Sequence, residues 1–220
     1  MVLFARAAII GLCLAAGLPT IAAAECRNES APPVQLQVAS GDVRYIESAD
    51  RNRLRRLHGQ NSRPLAGWGP IGLTVAELGL SVAVSVRSEL LSDGRYCSTL
   101  NAVDATVGYD VIDVYIAREY PRGSCQYSVI LDHERRHVVV FQSTLDEYVP
   151  TLQRLLEEKS AAVEPIMGRN RKRAARKMQT DIQTAVKELL NQISKTLDVR
   201  NARLDTGDRY RQEQEQCLNW

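Results

Sequence analysis

Leu131-Asp132-His133-Glu134-Arg135-Arg136-His137-Val138 contains the pattern H-E-x-x-H, and its reading decides how the rest of the chain is laid out. Read as helix, the stretch places His133 and His137 one turn apart on one face. Two neutral imidazoles so placed can bind one tetrahedral Zn²⁺ at about 2.0–2.1 Å each without cancelling its charge. Glu134, beside the first of them, is basic enough to take a proton from water that zinc has already acidified. The bland alternative is a solvated, charged turn of helix. Two of the chain's three histidines fall in this one pattern, which argues against that alternative. So does the frame, with Tyr127, Val129, Ile130 and Leu131 before the pattern and Val138, Val139, Val140 and Phe141 after it. A charged cluster in an apolar frame is partly buried, and buried charge needs a metal or a partner.

Upstream, the sequence is rich in strand signals. Leu78, Leu80, Val82, Val84 and Val86 alternate with small or polar residues, as in a half-buried strand that ends at Ser92-Asp93-Gly94. From Tyr96 to Ala117 a second β stretch is too apolar for a surface strand, so its middle must bury both faces or bend at Gly108. Earlier still, Val34–Val38 alternates, Ser40-Gly41-Asp42 supplies a turn and Val43–Ile46 returns, a hairpin signature. Ser48-Ala49-Asp50 can cap a short basic helix from Arg51 to Leu57, with His58 serving the helix dipole at its end. Gly67-Trp68-Gly69-Pro70 reads as a loop whose tryptophan packs on the core. Pro121-Arg122-Gly123 ends the β-rich part, and the helix of the motif is expected from near Cys125.

Downstream the pattern is helical. Leu145, Tyr148, Val149, Leu152, Leu155 and Leu156 keep helical spacing, with a kink or break expected at Pro150. Pro165 and Gly168-Arg169-Asn170 mark a reversal. Met178, Ile182, Val186, Leu189, Ile193 and Leu197 then form the apolar stripe of a second long helix. The pair reads as an antiparallel hairpin. Its tip carries Arg169, Arg171, Lys172, Arg173, Arg176 and Lys177, a run suited to a solvated helix end or to an anionic cell-envelope surface.

A catalytic zinc normally takes three protein ligands, and no third histidine follows at the metzincin spacing, where Ser143 stands. A carboxylate is therefore expected. Helix rise is equal on both arms of a hairpin, so residues equidistant from the turn near Gly168–Asn170 lie side by side. That ruler sets His133 and His137 roughly against the region from Arg200 to Asp208, and in the window Arg203-Leu204-Asp205-Thr206-Gly207-Asp208-Arg209-Tyr210 Asp205 lies near the centre. Asp198, Asp208 and Glu147 are the alternatives. Tyr210 or an arginine is the candidate oxyanion stabiliser.

The first 24 residues read as a secretory signal: Arg6, an apolar run from Ala7 to Leu18, and Ala22-Ala23-Ala24 before Glu25. Residues 25–220 then make one domain, β-rich over 25–122 and helical over 123–220. In an exported chain, Cys26, Cys97, Cys125 and Cys217 read as two disulfides, and the favoured pairing is Cys97–Cys125 with Cys26–Cys217. Charge is nearly balanced, 28 Lys and Arg against 26 Asp and Glu, so no nucleic-acid partner is expected.

A signal, a β-rich half, a cysteine shortly before His133-Glu134-x-x-His137, and a helical C-terminal part resemble the bacterial predicted secreted zinc-dependent proteases. The resemblance spans about Leu73 to Tyr210. It implies a zinc cofactor and hydrolysis of a protein or peptide substrate by a secreted or periplasmic enzyme. The expected fold class is α+β: an antiparallel sheet, a zincin-like helix beside it, and the helical hairpin. Two other functions fit the same residues, a non-catalytic exported zinc-binding or scaffold protein and a zinc amidase acting on cell-wall bonds.

Overall fold

A computed structural model describes residues 26–58 and 69–220. The expected signal and Trp68 lie outside those residues. The fold is α+β, built on one very long strand, β4 (Tyr96–Ile116), flanked by β1 (Val34–Ile46), β2 (Gly72–Ala76), β3 (Gly79–Leu90) and β5 (Ile166–Gly168). β2, β3 and β5 pair with β4 antiparallel, whereas β1 runs parallel to it along its whole length, from Val34 opposite Val103 to Ile46 opposite Tyr115. The sheet is therefore mixed rather than antiparallel. The expected hairpin within residues 34–46 does not form, because this segment is a single strand.

Two glycines explain that difference. Along β4 the buried positions run Val103, Ala105, Val107 and Tyr109, then Ile112, Val114 and Ile116. They change from odd to even numbers just past Gly108, whose φ is 137°. A Cβ at Gly108 would come within 2.0 Å of the Ala39 carbonyl oxygen, so only glycine fits. Gly41, at φ 83°, answers it in the neighbouring strand. A Cβ there would press on Tyr109 and Ile112, the residues on either side of the shift. The glycine that looks like a turn in sequence is a matching bend in a paired strand.

The helices are α1 (Arg51–His58), α2 (Cys125–Ala161), α3 (Arg171–Ala202) and α4 (Gly207–Gln214). Asp50, Ser124, Asn170 and Thr206 each cap one, accepting from the backbone N–H three residues on. α2 and α3 form the antiparallel hairpin, linked across by Tyr148 to Thr196 and by Arg200 to Thr144 and Glu147. The whole expected stripe of α3, from Met178 to Leu197, is buried with Leu145, Leu152 and Leu156 of α2 against the sheet. Each such side chain contributes about 1.5–3 kcal/mol of transfer free energy. That anchoring also explains why α2 runs through Pro150 without a break. Pro150 and Asp146, four residues before it, both lie on the exposed side, where a carbonyl freed by the ring is open to solvent.

The disulfides are Cys26–Cys97 and Cys125–Cys217, not the expected pairing. Cys97 stands near the start of β4 and Cys125 follows its far end. At about 3.3 Å per residue the strand holds them tens of ångströms apart, whereas bridged Cα atoms here are 5.4 and 5.8 Å apart. The first bridge ties the N-terminal segment to the sheet. The second ties the segment after α4 to the first residue of α2.

Candidate metal centre

The motif occupies the third and fourth turns of α2. Ser124 fixes where that helix starts, and the apolar residues around the motif fix which side faces the protein. His133 and Glu134 are each 4% exposed and His137 is 7% exposed. Opposite them, α3 ends at Ala202 and the chain passes through Asp205 into α4. The Asp205 Oδ1 lies 3.1 Å from the His133 Nε2 and 3.2 Å from the His137 Nε2, and the two Nε2 atoms are 3.1 Å apart. Ligands bound tetrahedrally at 2.0–2.1 Å are separated by about 3.3 Å, so this triangle has the dimensions of one face of a zinc tetrahedron. The alternatives lie elsewhere. Glu147 pairs with Arg200, Asp208 pairs with Arg211, and Asp198 sits exposed on α3.

The ring orientations make the donor set sharper. The His133 Nδ1–H donates to the Glu213 Oε2 at 3.0 Å, and the His137 Nδ1–H donates to the Asn201 Oδ1 at 2.9 Å. With the hydrogens committed to Nδ1, both Nε2 lone pairs converge with a carboxylate oxygen on one point. Three acceptors facing each other repel unless a cation or a proton sits among them. The Tyr210 hydroxyl donates to the same Asp205 oxygen at 2.7 Å, and Arg136 clamps Glu213 from outside. Neither Glu213 nor Asn201 has a periodic or motif signal in the sequence. Glu213 enters only because α4 folds back across α2.

The electrostatics follow from the same contacts. Burial pushes His137 down, but the Asp205 hydrogen bond and the Glu134 charge outweigh it and raise its pKa to about 9. His133 is likewise raised against its burial by Asp205, Glu134 and Glu213. Burial alone would raise Asp205, yet when the Nε2 atoms bind protons in place of a metal, hydrogen bonds from both imidazoles and from Tyr210 hold it well below the usual carboxylate range. The cluster is a trap for positive charge.

Glu134 is held apart from that triangle. Its Oε2 accepts from the Thr74 hydroxyl at 2.7 Å, which reaches over from β2. Burial raises its pKa, with the two imidazoles pulling the other way. Gly72, also on β2, makes room for it, since a Cβ there would lie 2.3 Å from the Glu134 Oε1. All these groups line one cleft of about 660 Å³ between α2, β2, α1 and α4. In comparisons with known proteins, no family model, no curated protein and no solved structure matches this chain.

Proposed function

We propose that this chain is an exported zinc-dependent peptidase, related to the predicted secreted zinc-dependent proteases, in which His133, His137 and Asp205 hold the metal. The observation that carries the proposal is the convergence of three lone pairs on one point beside a buried, uncoordinated carboxylate in an open cleft. The donor set suits zinc, which favours nitrogen and carboxylate oxygen in four-fold geometry. When bound, zinc supplies a Lewis acid that polarises a carbonyl and acidifies water.

The chain's own residues do the rest. Glu134 receives the proton of the attacking water and delivers it to the departing amine. Burial raises its pKa above the ordinary carboxylate value, which favours holding the proton it must pass on. Thr74 fixes its Oε2 and so its direction. Glu213 and Asn201 hold the imidazoles in the tautomer that turns Nε2 inwards. Tyr210, on the rim of the same cleft, lies close enough to Asp205 to donate to a developing oxyanion after releasing that carboxylate. A secreted or periplasmic location suits the two disulfides, and among the described residues no helix is long and apolar enough to cross a membrane.

The test is metal analysis combined with one substitution. The purified protein should carry one zinc, and His133→Ala or His137→Ala should abolish its retention. Glu134→Gln should keep the zinc and the fold but slow hydrolysis by about 10²–10⁴-fold, the usual share of general acid–base catalysis. Full activity in Glu134→Gln removes Glu134 as the base. A zinc-loaded wild type that cleaves neither peptides nor peptidoglycan makes the non-catalytic zinc protein the better reading.

A further inference from the structure

Beyond the metal cluster the cleft is walled by α1. Arg51, Arg55 and His58 line it. Their spacing of four and three residues puts them on one helix face. Leu54 belongs to the same face and is fully buried against Ala49 and Ala117, which turns that side of α1 towards the protein body. Arg53 and Arg56 fall on the opposite side. The arginines that line the cleft are thus placed there by the helix's own anchor residue.

The charges in the cleft do not cancel. Each acid that lines it is committed: Glu134 to Thr74, Asp205 to the two imidazoles and Tyr210, Glu213 to His133 and Arg136. By contrast, no carboxylate among the described residues forms an ion pair with the guanidinium of Arg51 or Arg55. Arg55 donates to the neutral Asn52 Oδ1, and Glu119 accepts only from the backbone N–H of Arg51. The lining also carries apolar surface, from Ile71 and Leu73 and from Tyr120, whose ring meets that of Trp220 edge-on at 6.1 Å between centroids. One lining thus offers the candidate metal ligands, apolar surface and two guanidinium groups that no carboxylate among the described residues pairs with.

We infer that the α1 end of the cleft is a subsite for a carboxylate of the bound peptide, with Arg51 and Arg55 as its specificity-determining residues. This deepens the hydrolytic reading and rests on it for the reaction at the metal end. The carboxylate is either the peptide's C-terminus or an Asp or Glu side chain, separated from the scissile bond by an apolar residue against Tyr120 and Trp220. Guanidinium groups suit this task because their planar donors pair with both carboxylate oxygens.

The experiment uses zinc-loaded Glu134→Gln protein, so that binding is read without turnover. Labelled hexapeptides with one apolar core are compared in matched pairs: free C-terminus against C-terminal amide, and internal glutamate against glutamine. The carboxylate member of one pair should bind roughly tenfold more tightly or better, as expected for a charged hydrogen bond, and the pair that shows it identifies the source. That advantage should vanish in Arg51→Gln/Arg55→Gln and reverse in favour of lysine-bearing peptides in Arg51→Glu/Arg55→Glu. Should the charge-reversed protein lose its native circular dichroism, the glutamine variant carries the test. Equal binding of both members of both pairs overturns the inference even if the wild type cleaves them all. An advantage that survives the glutamine substitutions overturns the assignment to α1. Tighter binding of carboxylate peptides that the zinc-loaded wild type never cleaves supports the subsite and removes the hydrolytic reading instead.

Discussion

The two ends of the α2–α3 hairpin share one apolar seam and treat charge in opposite ways. At the tip, Arg169, Arg171, Lys172, Arg173, Arg176 and Lys177 are all exposed. Their described contacts are slight: Arg171 lies 5.0 Å over the Tyr96 ring, and Lys177 pairs with Asp181 one turn on. At the open end, His133, Glu134, His137 and Glu213 are buried, and each is held by a partner from another element. Charge at the tip is solvated one residue at a time, so it carries little structural information. Charge at the open end is desolvated, so each group is tolerated only with its neighbours in place. A site needs the second condition.

Removing a partner at the open end should therefore give the larger effects. Asp205→Ala should lower zinc affinity more than any change behind the ligands, because it deletes a proposed ligand. Glu213→Ala deletes only the acceptor behind His133 and should weaken zinc binding by about 10–100-fold. Glu213→Gln should recover part of that loss by keeping an acceptor for Nδ1–H. Competition titration against a fluorescent chelator measures all three. Equal affinity in Glu213→Ala and wild type would detach α4 from the metal site.

A smaller effect concerns pH in the metal-free protein. His137 is raised above its ordinary value near 6.5 to about 9. The stability it contributes is therefore complete below about 6.5 and lost as pH rises through 9. Asp205 is depressed, so its share is present above the ordinary carboxylate value and lost only in strong acid. The difference in chemical stability between the metal-free wild type and His137→Gln should shrink from pH 6 to pH 9.5. A difference that is flat or grows over that interval would mean the imidazole is neutral in the metal-free fold.

The smallest effect belongs to the tip. Lys172→Gln/Arg173→Gln touches no buried group, so stability should move by no more than about 0.5 kcal/mol, and zinc affinity should not change. Denaturant melts and the same titration check both. A large loss in either would end the contrast between the two ends. Weaker adhesion of this variant to anionic vesicles, with both quantities intact, would support the envelope-surface role proposed for the tip.

What the sequence determined by itself is what local chemistry and helix geometry dictate. The cap at Asp50 follows from side-chain chemistry, and the stripe from Met178 to Leu197 and the placing of His133 and His137 on one face follow from periods of three and four residues. The position of Asp205 opposite them was legible too, because equal rise on two arms of a hairpin is a ruler that needs no contacts. The tertiary structure decided whatever depends on which segments meet. β1 lies parallel to β4 with a bend at Gly41, although a turn there would satisfy the local pattern equally well. Cys97 pairs with Cys26 because β4 carries it away from Cys125. α2 passes through Pro150 because the seam on both sides holds it. Asn201, Glu213, Thr74 and Gly72 join the site from three other elements, and none of them repeats with a period or belongs to a motif. Their roles arise from distances between segments far apart in the chain, and those distances exist only once the core has packed.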